Sequence, residues 1–312
     1  MSLPSTRFRT DFGENNSSIG SELSSHAASP MELNRRNILR ISLWVAAVGC
    51  AERHTALAQL PIKSLGPPNG SLLIIGGGTR GPDIQEAAIR LGRGSSVAGR
   101  WVYIPTAAAD NEIASATPPA FIARSGATLT VLHTRERTVA DTEAFTAPLR
   151  AATAVFLDGG RQWRLVDAYA GTRTERELRA VLDRGGLISG TSAGATIQGS
   201  YLVRGAPSGN TIRMSPGHER GFGYLTNVAI DQHVRARGRE TDLAKVVSAH
   251  PGLLGIGIDE GTAIIVNGNT MTVIGIGLVF INDGATHDGQ PYYALTGGMR
   301  FDLASWSVLP GR

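Results

Sequence analysis

Cysteine is almost missing from this chain. The single example among 312 residues, Cys50, lies near the N-terminus, so beyond it neither a disulfide nor a cysteine nucleophile is available. The seven histidines are scattered, with no H-E-x-x-H pair and no thiolates beside them, which argues against a structural zinc centre. Lysine is nearly as scarce: Lys63 and Lys245 are the only two, and the formal charge of +4 rests on arginine. No lysine-rich run offers a nucleic-acid arm. No apolar run reaches the roughly twenty residues that a membrane-spanning helix needs. A P-loop is also missing, because no glycine-rich turn is followed by Gly-Lys-Ser or Gly-Lys-Thr. What remains is an ordinary globular composition, 42% hydrophobic and 18% charged, sufficient for a large core.

The chain begins differently from how it continues. Residues 1–30 are rich in Ser, Asn and Glu without apolar periodicity, and are expected to be disordered or to lie upstream of a true start at Met31. Residues 31–58 combine Arg35 and Arg36, a mainly apolar stretch from Ile41 to Ala51, and the small-residue site Ala56-Leu57-Ala58. This is the pattern of an export signal to the periplasm or beyond. The paired arginines resemble a twin-arginine leader, although Asn34 stands where Ser or Thr is usual. Cleavage after Ala58 would leave a mature chain with no thiol. The alternative makes "AVGC" a lipoprotein box, with Cys50 acylated and the protein tethered. Residues 59–70 read as a linker and 71–312 as a single domain without internal repeats.

From Ser71 the punctuation is regular. "SLLIIGGG" is a continuous apolar run ending in glycines, as a buried parallel strand does, and "GPDIQEAAIRLGRG" follows with Pro82 at a helix start. "RWVYIPTA", "ATLTVLHT", "TAVFLDGG" and "GLISG" repeat the strand signal, and "EAFTAPLRA", "RQWRLVDAYA" and "RTERELRAVLDRG" supply helices between them. The alternation predicts an α/β fold, a doubly wound and mostly parallel sheet. After Asn227 the pattern becomes strand-rich, with Asn267-Gly268 as a hairpin turn, which predicts an additional C-terminal β-rich extension whose strands extend or flank the parallel sheet.

Several motifs compete for function. Gly76, Gly78 and Gly81 spell the dinucleotide fingerprint G-x-G-x-x-G, but the second strand ends in Thr106 and the next acid is Asp110, so no carboxylate is placed for a ribose. A tight turn over the sheet is the better reading. "RARGR", Arg235 to Arg239, is too short and lacks the aromatics of a nucleic-acid stripe; small-anion recognition or a solvated helix face fits it. His250 precedes Pro251 at an expected helix end and suits capping. His133, His218 and His287 have no evident partners in the sequence.

"GLISGTSAGATIQG" sets Ser192 between Gly190 and Gly194, after a short strand and before the expected helix "AGATIQGSYL". A serine hydrolase needs a nucleophile on such a turn, a histidine to take its proton, a carboxylate to orient that histidine, and amides facing the oxyanion. Gly159 and Gly160 end the preceding strand, so the Gly160 and Ala193 N–H groups are candidates for the oxyanion hole.

Four segments, "GGRQ", "SGTSAGA", "IDQHVRARGR" and "HPGLLGIGIDEGTA", give the region from Ser71 to Asn282 a resemblance to cyanophycinases and related serine exopeptidases, with aspartyl dipeptidases more distant. The resemblance implies a flavodoxin-like, class I glutamine-amidotransferase-like fold and a Ser192, His233, Glu260 triad. It implies an acyl-enzyme on Ser192 that releases β-aspartyl-arginine from cyanophycin, with no cofactor and no metal. Gln162, Asp231, Gln232, Arg237 and Arg239 stand where similar enzymes hold substrate. Two positions depart from the pattern: Asp242 replaces an expected arginine, and Arg161 replaces a smaller polar residue. These keep other aspartyl or isoaspartyl peptides open as substrates, and a non-catalytic binding protein on the same fold as a third reading. The expected partner is a peptide, with no nucleic acid and no membrane span; a homodimer is compatible with the sequence but not derivable from it.

Overall fold

The computed structural model describes residues 64–94 and 98–311, which belong to one compact unit. The expected export segment, with Cys50, lies outside the described residues. So does the first part of the expected linker, but its end is packed: Ser64 is buried, and the Leu65 N–H donates to Thr226 O.

Five parallel strands form one side of a nine-stranded sheet. They are β1 (Ser71–Ile75), β2 (Arg100–Ile104), β3 (Thr128–Val131), β4 (Ala154–Leu157) and β5 (Leu187–Thr191), in the spatial order β3-β2-β4-β5-β1, with β3 at the edge. Beyond β1 the sheet continues antiparallel through β9 (Thr262–Asn267), β10 (Thr270–Gly275), β13 (Arg300–Asp302) and β14 (Ser307–Leu309). The expected hairpin at Asn267-Gly268 joins β9 to β10. Of the later strands some extend the first sheet in this way, and the remaining ones make a second, five-stranded sheet. In it β6 (Gly199–Tyr201), β7 (Leu225–Gln232) and β8 (Leu254–Ile258) run parallel, followed by antiparallel β11 (Val279–Asn282) and β12 (Tyr293–Leu295).

Nine described helices connect the strands. The first five are α1 (Pro82–Gly92), α2 (Asp110–Ile113), α3 (Ala120–Arg124), α4 (Arg137–Ala140) and α5 (Glu143–Arg150). They are followed by α6 (Gln162–Tyr169), α7 (Arg173–Asp183), α8 (Ala193–Thr196) and α9 (Asp242–Ala249). Successive side chains of β1 point to opposite faces, and both faces are covered. Leu72 and Ile74 join a core containing Leu178 of α7 and Ile230 and Ile256 of the second sheet, whereas Leu73 and Ile75 join Ile84, Ala88, Trp101 and Phe156 on the other side. That two-sided burial is why the parallel strands read as continuous apolar runs. The helix expected after Ser192 is much shorter than "AGATIQGSYL": it ends at Thr196, because Gly199 already pairs with Leu225 in the second sheet. No described helix is long and apolar enough to cross a membrane.

Candidate active site

Ser192 sits at the carboxyl end of β5 with φ +54° and ψ −113°, a conformation that L-residues avoid and that an elbow requires. The flanking glycines explain the motif. A Cβ on Gly190 would stand 2.1 Å from Gly194 O, and one on Gly194 would stand 2.0 Å from Leu157 O, so neither position has room for a side chain.

His233 follows the last residue of β7, and Glu260 comes two residues after β8 ends. These strands pair in parallel, with Gln232 opposite Ile258, so the two functional side chains leave neighbouring strand ends together. With its proton on Nδ1, His233 donates to Glu260 Oε1 at 2.5 Å and leaves Nε2 to accept from Ser192 Oγ at 3.0 Å. The chain thus closes a hydroxyl, imidazole and carboxylate line across the junction of the two sheets.

The end of β1 fastens all three segments. The Ser192 N–H donates to Ile75 O at 3.1 Å, the His233 N–H to Gly76 O at 3.0 Å, and the Gly261 N–H to Gly77 O at 3.0 Å. Gly77 has φ +122°, and a Cβ there would lie 2.2 Å from Cε1 of His233; one on Gly78 would lie 2.9 Å from Glu260. The glycines that mimic a dinucleotide fingerprint are therefore a tight turn, as expected, and also the surface on which the imidazole rests. Sequence reasoning missed that second role, whose only signal was three consecutive glycines after a buried strand.

Burial pushes the His233 imidazole below its ordinary pKa of 6.5; the hydrogen bond to Glu260 opposes this, and the positive charges of Arg237 and Arg239 add to it. A neutral imidazole beside a hydroxyl is the form that can accept a proton. On the other side of Ser192, Gly159 approaches closely enough that its Cβ would be 3.4 Å from that of Ser192. Asp158 holds this loop: its Oδ1 accepts from the Gly159 N–H at 2.8 Å, and its Oδ2 accepts from the buried Tyr103 hydroxyl. Gly160 has φ +131°, and a Cβ there would lie 2.0 Å from the Ala107 carbonyl oxygen, so only glycine fits. Among the described residues, no backbone acceptor is paired with the Gly160 or Ala193 N–H.

Of the expected substrate residues, Gln232, Arg237 and Arg239 cluster beside His233: the Arg237 N–H donates to His233 O, and Arg239 Nη1 donates to Gln232 O at 3.2 Å. Gln162 is buried and donates to Val203 O at 2.7 Å. Asp231 is enclosed and already partnered. It is 1% exposed, and Arg204 engages it through Nε at 3.0 Å and Nη2 at 2.8 Å. The "RARGR" segment also divides: Arg235 clamps the buried Asp259 just before Glu260 at 2.5 Å, while Arg237 faces solvent from a 3₁₀ turn. His250 caps α9, as expected. His133 and His287, which lacked evident partners in the sequence, bond to Thr106 and Asp283.

The sequence profile of Peptidase family S51 matches residues 72–274. Cyanophycinases of Trichormus variabilis and of a Nostoc species are each 31% identical over 287 residues, covering 83% of this chain and 96% of the relative. The cyanophycinase of Geminocystis herdmanii is 32% identical over 221 residues, covering 69% and 80%. A crystal structure of a peptidase from an acI-B1 Actinobacterium superposes with a TM-score of 0.60 at 25% identity, covering 75% of this chain and 97% of that one. The chain belongs to peptidase family S51 and is a serine-type peptidase with the α/β fold of that family.

Proposed function

We propose that the protein is a serine exopeptidase that cleaves β-aspartyl peptides, with cyanophycin as substrate and β-aspartyl-arginine as product. The observation that carries the mechanism is the hydrogen-bonded line from Ser192 through His233 to Glu260 on a strained elbow. Ser192 Oγ attacks the scissile carbonyl as His233 Nε2 takes its proton, and Glu260 stabilises the imidazolium that forms. The Gly160 and Ala193 N–H groups receive the oxyanion. His233 then protonates the leaving amine, and water, deprotonated by the same imidazole, releases the acid from Ser192. The substrate assignment is supported by the relatives named cyanophycinase. Incubation of the protein with cyanophycin, followed by chromatography and mass analysis of the released dipeptide, tests it; absence of β-aspartyl-arginine would contradict it.

A second reading, turnover of other isoaspartyl peptides, is favoured by Asp242, which places a carboxylate near Arg237 and Arg239 where an arginine was expected. Export through the twin-arginine route, with cleavage after Ala58, is proposed on the leader pattern of residues 31–58.

A further inference from the structure

A cavity of about 360 Å³ is walled in part by Arg237 and Arg239, whose charges act on His233, and its wall includes Arg204, Asn210, Thr211 and Arg213. Its chemistry is dominated by Arg204, a residue that the sequence did not single out. Arg204 is 2% exposed, yet its backbone has φ +58°, a strained setting for an arginine. Its guanidinium bonds Asp231 through Nε and Nη2, Asp242 Oδ2 through Nη2 at 2.6 Å, and Asn210 O through Nη1 at 2.9 Å. The Arg204 N–H also donates to Arg213 O, and Arg213 in turn pairs with Asp242 at 3.1 Å. Four guanidinium groups (Arg204, Arg213, Arg237, Arg239) thus meet two carboxylates (Asp231, Asp242), leaving two positive charges in excess.

The consequence is a statement about substrate. The carboxylates are the groups that would recognise a cationic side chain, and both are already occupied: Asp231 holds the Arg204 guanidinium with forked geometry, and Asp242 takes single contacts from Arg204 and Arg213. Resting on the β-aspartyl peptidase reading above, we propose that Arg204 is a specificity-determining residue, a built-in guanidinium that fills the acceptor carboxylates and makes this cavity a subsite for acidic or uncharged groups rather than for an arginine side chain. A substrate arginine would meet a net excess of two positive charges there, whereas a carboxylate would find the exposed Arg237 and, beside it, Arg239, which shares Asp231 with Arg204 through a 3.4 Å contact.

Two measurements test this. In calorimetric titration of the unaltered full chain, succinate is expected to bind about tenfold or more tightly than ethylguanidinium. Equal or tighter binding of ethylguanidinium would overturn the proposal. In Arg204→Ala, Asp231 and Asp242 lose their internal partner. For matched β-aspartyl peptides carrying arginine or norleucine, the ratio of kcat/KM, arginine over norleucine, is then expected to rise about tenfold or more, with ethylguanidinium now binding and raising Tm. A folded Arg204→Ala with an unchanged ratio would overturn the proposal. If that variant does not fold, the titration of the unaltered chain decides alone. Failure of the unaltered chain to cleave any β-aspartyl peptide would refute the functional reading, while the titration would still judge the cavity.

Discussion

His233 reaches its position through two unfavourable choices, a positive φ and burial, and both have functional consequences. Burial and the nearby Arg237 and Arg239 hold its pKa below 6.5, and the base must be neutral to act. The acid limb of kcat/KM is therefore expected to have its midpoint below the ordinary histidine value. Arg237→Gln removes a charge that disfavours the imidazolium, so the limb should move to higher pH; Glu260→Gln removes the group that favours it, so the limb should move lower, with a rate loss on the order of 10³-fold or more. A limb that moves lower in Arg237→Gln, or higher in Glu260→Gln, would contradict the assignment. Gly77 is the other decisive residue. Gly77→Ala should reduce kcat by about a hundredfold, because a methyl group displaces the imidazole from Ser192. Steady-state kinetics with a thermal melt separates that from simple unfolding. Ser192, His233 and Glu260 were legible in the sequence because each sits in a local motif. Gly77 was not, since the ring that demands a glycine comes from a distant strand, and the pairing of Asp231 with Arg204 was not, because Arg204 lies outside every motif.

Strand ends, rather than helices, position the chemistry. The loop after β4 places Gly159 and Gly160 against Ser192, and Asp158 anchors it by bonding both the Gly159 amide and the Tyr103 hydroxyl of β2. Tyr103→Phe removes one anchor from the half-buried Asp158 carboxylate without altering the shape of the core. It is expected to lower kcat about tenfold with little change in KM, as loss of transition-state positioning should. A change confined to KM would argue against this role. At this scale the parallel strands were legible from their apolar runs, whereas the early end of α8 was not: the pairing of Gly199 with Leu225 is a long-range contact that local helix signals cannot reveal.

Two sheets meet at the candidate site, Ser192 and the Gly159-Gly160 loop following strands of the nine-stranded sheet, and His233 and Glu260 following strands of the five-stranded one. The alternation of strands and helices revealed the first sheet. The division of the later strands between two sheets was not legible, because β9 and β10 read in sequence much like β8 and β11 and differ only in their pairing. If the proposed export and cleavage occur, protein recovered from the producing cell should have the intact mass of a chain beginning at Gln59; a mass including an acylated Cys50 would instead support tethering. The account rests most heavily on Ser192 as nucleophile, and hydrolysis of cyanophycin by the unaltered chain and by Ser192→Ala tests it most directly. The unaltered chain should release β-aspartyl-arginine, and the variant should retain its fold and lose about 10⁴-fold or more in rate; undiminished release by Ser192→Ala would contradict the mechanism.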